Sequence, residues 1–381
     1  PAFLLDDLLL SSWLNDSPAF HSPSEWTMKI WAACSGDLEG NSIRDAIQAY
    51  LKRHLAQIPI DGLTSVCGEM IARRRSTLPA AEFEKLLSTA STFNHGGTAI
   101  DHLLAAGILR EHGGNRLSFA SPWLTGYLAS RMELNPAHLQ PGDFSWSAFI
   151  ARAGFSLAQQ KQPWLADYLQ DDRAPLHTSL SQASAWLRYI PLNHEHKTMI
   201  MRSLLRVIQH EETSFSVRLS LLANIATCND PAVPLLFRQW LTLDSPRMRQ
   251  LAVLGLGASQ DKKSLSEIVL RLEDAAPEVR YAACYALSAL GSQNARDELL
   301  EALNSGDETI KQVAAEILAA KDSDGHEALK TAARSEDLLI RRASVYGLSL
   351  ISEPWVDPLL EKIASEDIHW VVRNAAAQAR E

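Results

Sequence analysis

In the last third of the chain, apolar positions fall at helical spacing in short paired segments. Leu265, Ile268, Val269 and Leu272 form one such stripe after Ser264. Ala275-Ala276-Pro277 then turns the chain, and a second apolar helix runs to Gly291. The same alternation returns over 294–305 with 307–320, and over 324–335 with 337–351, and a last helix starts near Ile368. Pro231, Pro246, Pro277 and Pro354 all stand where a helix is expected to begin, a place that tolerates a missing N–H. A basic residue marks the second helix of each pair: Arg218, Arg249, Arg280, Lys311, Arg341 and Arg373 are spaced 31, 31, 31, 30 and 32 residues apart. Each follows Val, Met or Ile and precedes small apolar residues. A fixed period of this size marks a stacked array in which each unit buries its apolar face against its neighbours. The pattern predicts a scaffold with an extended surface and argues against a closed enzyme fold.

These units resemble HEAT repeats, of the short kind named after the phycobilisome lyases. Their second helix reads Asp, two or three residues, Val-Arg, then an Ala-rich run to Leu-Gly, and Pro277 to Gly291 matches it. The resemblance begins at about Ser214 and implies an all-α, α-solenoid fold. It says little about function, because such arrays serve as lyases, adaptors and sensors alike. In arrays of this family the ladder arginine bonds acidic or carbonyl groups of the neighbouring repeat, so a structural role is expected for it.

At 381 residues with 46% hydrophobic content, the chain has room for two or three domains and the material for their cores. It holds no apolar run long enough to cross a membrane and no signal peptide, so a soluble, cytoplasmic protein is expected. Cys34, Cys67, Cys228 and Cys284 share no metal-binding or redox spacing and read as buried apolar fillers. The net charge of −9 weighs against nucleic acid as the main partner, since phosphate neutralisation needs a basic excess. Arg73-Arg74-Arg75 is the one tight basic run and reads as a solvated helix end. Because the chain starts at Pro1, it is expected to be a piece of a longer protein.

Nearer the N-terminus, a helix over 98–109 is followed by a hairpin over 110–119 centred on His112-Gly113-Gly114-Asn115, and by a helix from Pro122 to Arg131. This reads as a winged helix with a small β-hairpin. Its presumed recognition helix carries Asp101 and His102 but no Lys or Arg before Arg110, which makes a DNA role weak. The string Leu103-Leu104-Ala105-Ala106-Gly107-Ile108-Leu109, then Leu117-Ser118-Phe119, then Trp123 to Ala129 resembles the winged-helix domain of STAND ATPases of the NACHT kind. Pro1-Ala2-Phe3-Leu4-Leu5 is similar to the segment where a NACHT core passes into its helical subdomain, and Ile43 to Leu55 is similar to the helix that follows.

The chain also departs from that family. It has no Gly-rich phosphate loop ending in Lys-Ser or Lys-Thr, so no cofactor is expected in this chain, and ATP or ADP with Mg is implied only for an upstream ATPase domain. Many relatives carry a His two residues after the Phe of the wing that reaches the nucleotide. Here the residues are Phe119-Ala120-Ser121. Either Ser121 replaces that contact, or nucleotide sensing works differently. His194-Glu195-His196 places two imidazoles two residues apart, which point away from each other on a helix, and a solvated loop after Pro191 is expected there instead of a metal site. No nucleophile elbow is present, and the chain is not expected to be an enzyme.

The expected organisation is a helical subdomain over 1–95, a winged-helix region over 96–135, an irregular aromatic-rich helical junction over 136–213 and a HEAT-like solenoid over 214–381. Positions one and five after each ladder residue share a helix face. They supply the candidate partner-binding residues Gln250, Tyr281, Tyr285, Gln312, Glu316, Arg342, Tyr346, Asn374 and Gln378. Aromatic, amide and charged groups over a floor of alanines suit a concave protein-binding surface, although tyrosines equally fill gaps between helices. The resemblance implies the ligand-sensing and autoinhibitory region of a STAND ATPase that recognises a protein trigger, for instance a phage-derived one in antiviral defence, and oligomerises on activation. The rival readings are a stand-alone HEAT adaptor or bilin-lyase-like protein, and a winged-helix transcriptional regulator.

Overall fold

The computed structural model describes residues 27–28, 30–32, 43–55, 60–89, 96–134, 147–170, 176–228, 230–320 and 323–380. The segment Pro1-Ala2-Phe3-Leu4-Leu5 and Cys34 lie outside these residues. Among the described residues the fold is all-α with one small sheet, and the chain separates into two compact units, Pro1–Asp230 and Pro231–Glu381.

In the first unit, α1 (Ile43–His54) and α2 (Ile60–Ala72) precede a two-residue strand, β1 (Leu78–Pro79). Then come α3 (Ala80–Thr89), α4 (Gly96–Ala105), β2 (Leu109–His112), β3 (Arg116–Phe119) and α5 (Pro122–Ala129). The antiparallel sheet has the order β1-β3-β2, with Leu78 opposite Leu117 and Leu109 opposite Phe119. Because β1 pairs with β3, the sheet reaches back to the segment that follows α2. The sheet therefore includes residues upstream of 96, where the sequence reading begins its winged-helix region. The helix expected over 98–109 ends at Ala105, since Gly107 turns the chain with φ 70 and Leu109 enters β2. Gly114 and Asn115, with φ 78 and 55, close the wing. Leu63, Met70, Phe83, Leu103, Ile108 and Leu117 fill the core beneath the sheet.

The rest of this unit is α6 (Ser147–Gln159), α7 (Leu165–Leu169), α8 (Thr178–Trp186), α9 (Glu195–Gln209) and α10 (Phe215–Ala226). The sequence placed α10, with the ladder residue Arg218, in the solenoid. It packs into the first unit because side chains tie the α9–α10 pair to the junction helices. Asn224 donates to Ser184 at 2.8 Å, and the buried His196 bonds the Leu157 carbonyl through Nδ1 at 2.8 Å. Lys197 stands 3.7 Å from Asp230.

The second unit pairs α11 (Ala232–Trp240) with α12 (Pro246–Ala258), α13 (Leu265–Val269) with α14 (Pro277–Leu290), and α15 (Gln293–Ser305) with α16 (Glu308–Ala319). It continues with α17 (Ser323–Ala332) and α18 (Leu338–Ser349), then α19 (Val356–Glu366) and α20 (Trp370–Gln378). Pro246 and Pro277 open their helices, and Pro231 caps α11. The first helix of the second pair is shorter than its apolar stripe suggests. After Val269 it tightens into a 3-10 turn over Leu270–Glu273, where i to i+3 bonds take up carbonyls an α-helix would leave open. Second helices stack closely: a Cβ on Gly257 would stand 2.6 Å from the Ala286 Cα. Small residues at these crossings let the backbones approach, which makes the second helices a continuous layer.

Candidate protein-binding surface

The ladder sets the register of that layer. Arg249 reaches the Asp274 carboxylate with both Nε and Nη2, at 2.9 and 2.8 Å, while its Nη1 donates to the carbonyls of Leu243 and Asp244. Arg280 pairs with Asp307 at 2.9 Å and donates to the Asp274 carbonyl. Arg341 grips Asp367 through Nε and Nη2 at 2.8 and 3.2 Å and donates to Ser335 and Glu336. Lys311 donates to the carbonyls of Leu303 and Asn304, and Arg373 to that of Asp367. Each cation thus satisfies carbonyls of the turn before its own helix, and three of them also hold an aspartate of the next unit.

Those aspartates do two jobs. Asp307 caps α16 by accepting from the N–H groups of Thr309 and Ile310, Asp274 accepts from Ala276, and Asp367 accepts from His369. The arginine bonds hold the Asp274 carboxyl below the usual carboxylate range against the opposing effect of its burial. At Asp367 burial pushes upward, but Arg341 and the His369 N–H outweigh it, and the net shift is downward.

With the layer held this way, some of the predicted residues meet across neighbouring second helices. Tyr285 is 44% exposed, Gln312, Arg342, Asn374 and Gln378 are exposed, and Gln250, Tyr281, Glu316 and Tyr346 are half-buried. Gln312, Arg342, Tyr346 and Gln378 line one groove of about 300 Å³ between α16, α18 and α20. Glu308 and Ser349 line it too, and Arg342 bonds Glu308 at 2.6 Å. The sequence reading missed Glu308, although it stands one turn before Gln312 and so belongs to the same face. Glu316 links three helices: its carboxylate accepts from the Tyr285 hydroxyl at 3.2 Å and from the Tyr346 hydroxyl at 3.4 Å. Gln250 lies apart on α12, where Arg247 donates to it at 3.2 Å.

Other candidate chemistry resolves into structure. His194 caps α9 by accepting from the His196 N–H, and His196 is buried, so the solvated loop expected there is instead a helix start. Among the described residues no group of three His, Cys, Asp or Glu could hold a metal ion. Arg73, at the exposed end of α2, pairs with Glu69 and Glu82. On α4, Asp101 and His102 are exposed, and His102 contacts the His54 carbonyl at 3.2 Å.

The family model described as HEAT repeats matches residues 233–319 and 296–380. Residues 233–380 carry HEAT repeats. The matched stretch coincides with the second unit, and HEAT repeats commonly present extended surfaces to protein partners. No curated protein matches the chain. Among solved structures, human deoxyhypusine hydroxylase in complex with glycerol is 18% identical, over 63% of this chain and 91% of that one. Its TM-score of 0.25 adds nothing to the argument for the fold. No helix among the described residues is long and apolar enough to cross a membrane.

Proposed function

We propose that this chain is the sensing and autoinhibitory region of a STAND ATPase of the NACHT kind, and that its HEAT repeats recognise a protein trigger. The observation that carries the recognition role lies on successive second helices, where Gln312, Arg342 and Tyr346 line a groove and the Tyr285 and Tyr346 hydroxyls meet at Glu316. Exposed tyrosine and arginine at the centre of a packed surface are the residue types that dominate binding energy in protein interfaces. A winged helix before a repeat array is the order that the sequence resemblance implies. In this reading the chain is cytoplasmic and performs no catalysis. Nucleotide with Mg belongs to an ATPase domain upstream, and trigger binding releases that domain to exchange nucleotide and oligomerise. A phage-derived protein is the class of trigger proposed.

The test is the double substitution Tyr281→Ala with Arg342→Ala in the full-length protein, with fold followed by circular dichroism and activation followed in cells challenged with phage. Lost activation in a folded variant is expected. Normal activation would remove the face from the recognition role. Reading the coding sequence upstream of Pro1 for a Gly-rich phosphate loop tests the ATPase parent separately.

A further inference from the structure

The Glu316 site has the makings of a receptor for one particular side chain. Glu316 is half-buried, and its two oxygens each take one tyrosine hydroxyl, from α14 on one side and α18 on the other. A carboxylate offers about four lone-pair positions, so two hydroxyls leave one free on each oxygen. Among the described residues no Lys, Arg or His lies within ion-pair distance of Glu316, and Arg342, the cation of the adjoining groove, is engaged by Glu308. Among the described residues the Glu316 charge is thus met by two tyrosine hydroxyls and by no cation. Burial foremost, and then the Glu316 charge, pushes the Tyr285 hydroxyl above its ordinary pKa, so it stays a neutral donor near neutral pH. The whole unit shares this sign. Residues 231–381 hold 17 Lys and Arg against 23 Asp and Glu, a net of −6.

We propose that Tyr285, Glu316 and Tyr346 form a receptor for an arginine side chain presented by the protein partner. A guanidinium is planar, engages two carboxylate oxygens at once and stacks on tyrosine faces, whereas an ammonium is a compact and strongly hydrated point charge. The net negative charge of the unit favours approach of a basic segment and disfavours acidic competitors. This inference rests on the proposed partner-binding face and names the chemistry that the face selects.

The chain has seven tyrosines, so carbon-13 labelling of their rings gives a short and assignable spectrum. The probes are a capped Gly-Arg-Gly tripeptide, its citrulline counterpart, which keeps the shape without the charge, and spermidine, each titrated into the full chain. The arginine peptide is expected to shift the Tyr285 and Tyr346 signals saturably, and the citrulline peptide and spermidine to bind at least about tenfold more weakly. Glu316→Gln, with an unchanged melting curve, is expected to abolish the response. Tyr346→Phe keeps the ring and frees a carboxylate oxygen, so it should retain arginine binding within about threefold; this variant serves as the readout if Glu316→Gln fails to fold. An equal response to citrulline or spermidine, persistence in Glu316→Gln, loss in a folded Tyr346→Phe, or no response to arginine would overturn the receptor. If arginine gives no response while the Tyr281→Ala, Arg342→Ala variant still loses activation, the recognition face stands and only its arginine chemistry falls. Normal activation of that variant would count against the face itself.

Discussion

Asp274 and Asp367 each accept the N–H of the residue just before a second helix while holding the arginine of the previous unit, and both have carboxyl pKa values displaced downward. A carboxyl with a depressed native pKa binds fewer protons in the folded state than in the unfolded chain, so its contribution is fully present above the ordinary carboxylate value of 3.8. It is lost as the pH falls through the lower native value. The urea midpoint is therefore expected to hold steady down to about pH 5 and to fall steeply below about pH 4. Asp274→Asn should flatten that acid limb while lowering stability at neutral pH, and an unchanged limb would count against the pairing. The thiols make a second residue-scale prediction. Burial pushes Cys228 up to about 11 and Cys284 up to about 12, and it raises Cys67 well above its ordinary value. Since only the thiolate reacts, these three cysteines are expected to resist iodoacetamide near neutral pH in the folded chain and to label fully in urea, as mapped by peptide mass.

At the scale of elements, stability passes from one helix pair to the next through the ladder. Arg341 and Asp367 have side chains only 6% and 8% exposed, so removing the guanidinium strands a buried carboxylate, a change that costs roughly 3–5 kcal/mol. Arg341→Ala is expected to lose hydrogen-exchange protection mainly in the pairs α17–α18 and α19–α20, because array energetics are nearest-neighbour. Uniform loss across the second unit would contradict that picture. Gly257 probes the other contact. Adding a methyl group within 2.6 Å of the Ala286 backbone forces α12 and α14 apart, and Gly257→Ala should cost about 1–3 kcal/mol by thermal or urea unfolding.

For the whole molecule, charge decides which partners are excluded. The chain carries −9 overall, and the exposed residues of α4 include Asp101 and His102. Phosphate contacts supply most of the affinity of a DNA-binding protein, so a gel shift with random duplex at low salt should show no complex below about micromolar protein. A tight and salt-sensitive complex would return the winged helix to a DNA role.

The fold class was legible because its signals are local and repeated. A period of 30 to 32 residues, prolines at helix starts and Gly-Gly-Asn in the wing each follow from backbone geometry that neighbouring residues enforce. That Gln312 shares a helix face with Glu316, and Arg342 with Tyr346, was legible for the same reason, since residues four apart on a helix point the same way. Tertiary structure alone decided which of these residues meet. The hydroxyls that converge on Glu316 come from residues 31 and 30 positions away in sequence, and helical periodicity carries no information across such a gap. The same holds for Arg249 finding Asp274 and Arg341 finding Asp367, where the distance between stacked helices selects the partner. The division at residue 230 was hidden as well. The α9–α10 pair has the ladder pattern of a repeat, but Asn224, His196 and Lys197 bond it to the first unit, and which neighbour a helix pair packs against is set by side chains that a repeating pattern does not record.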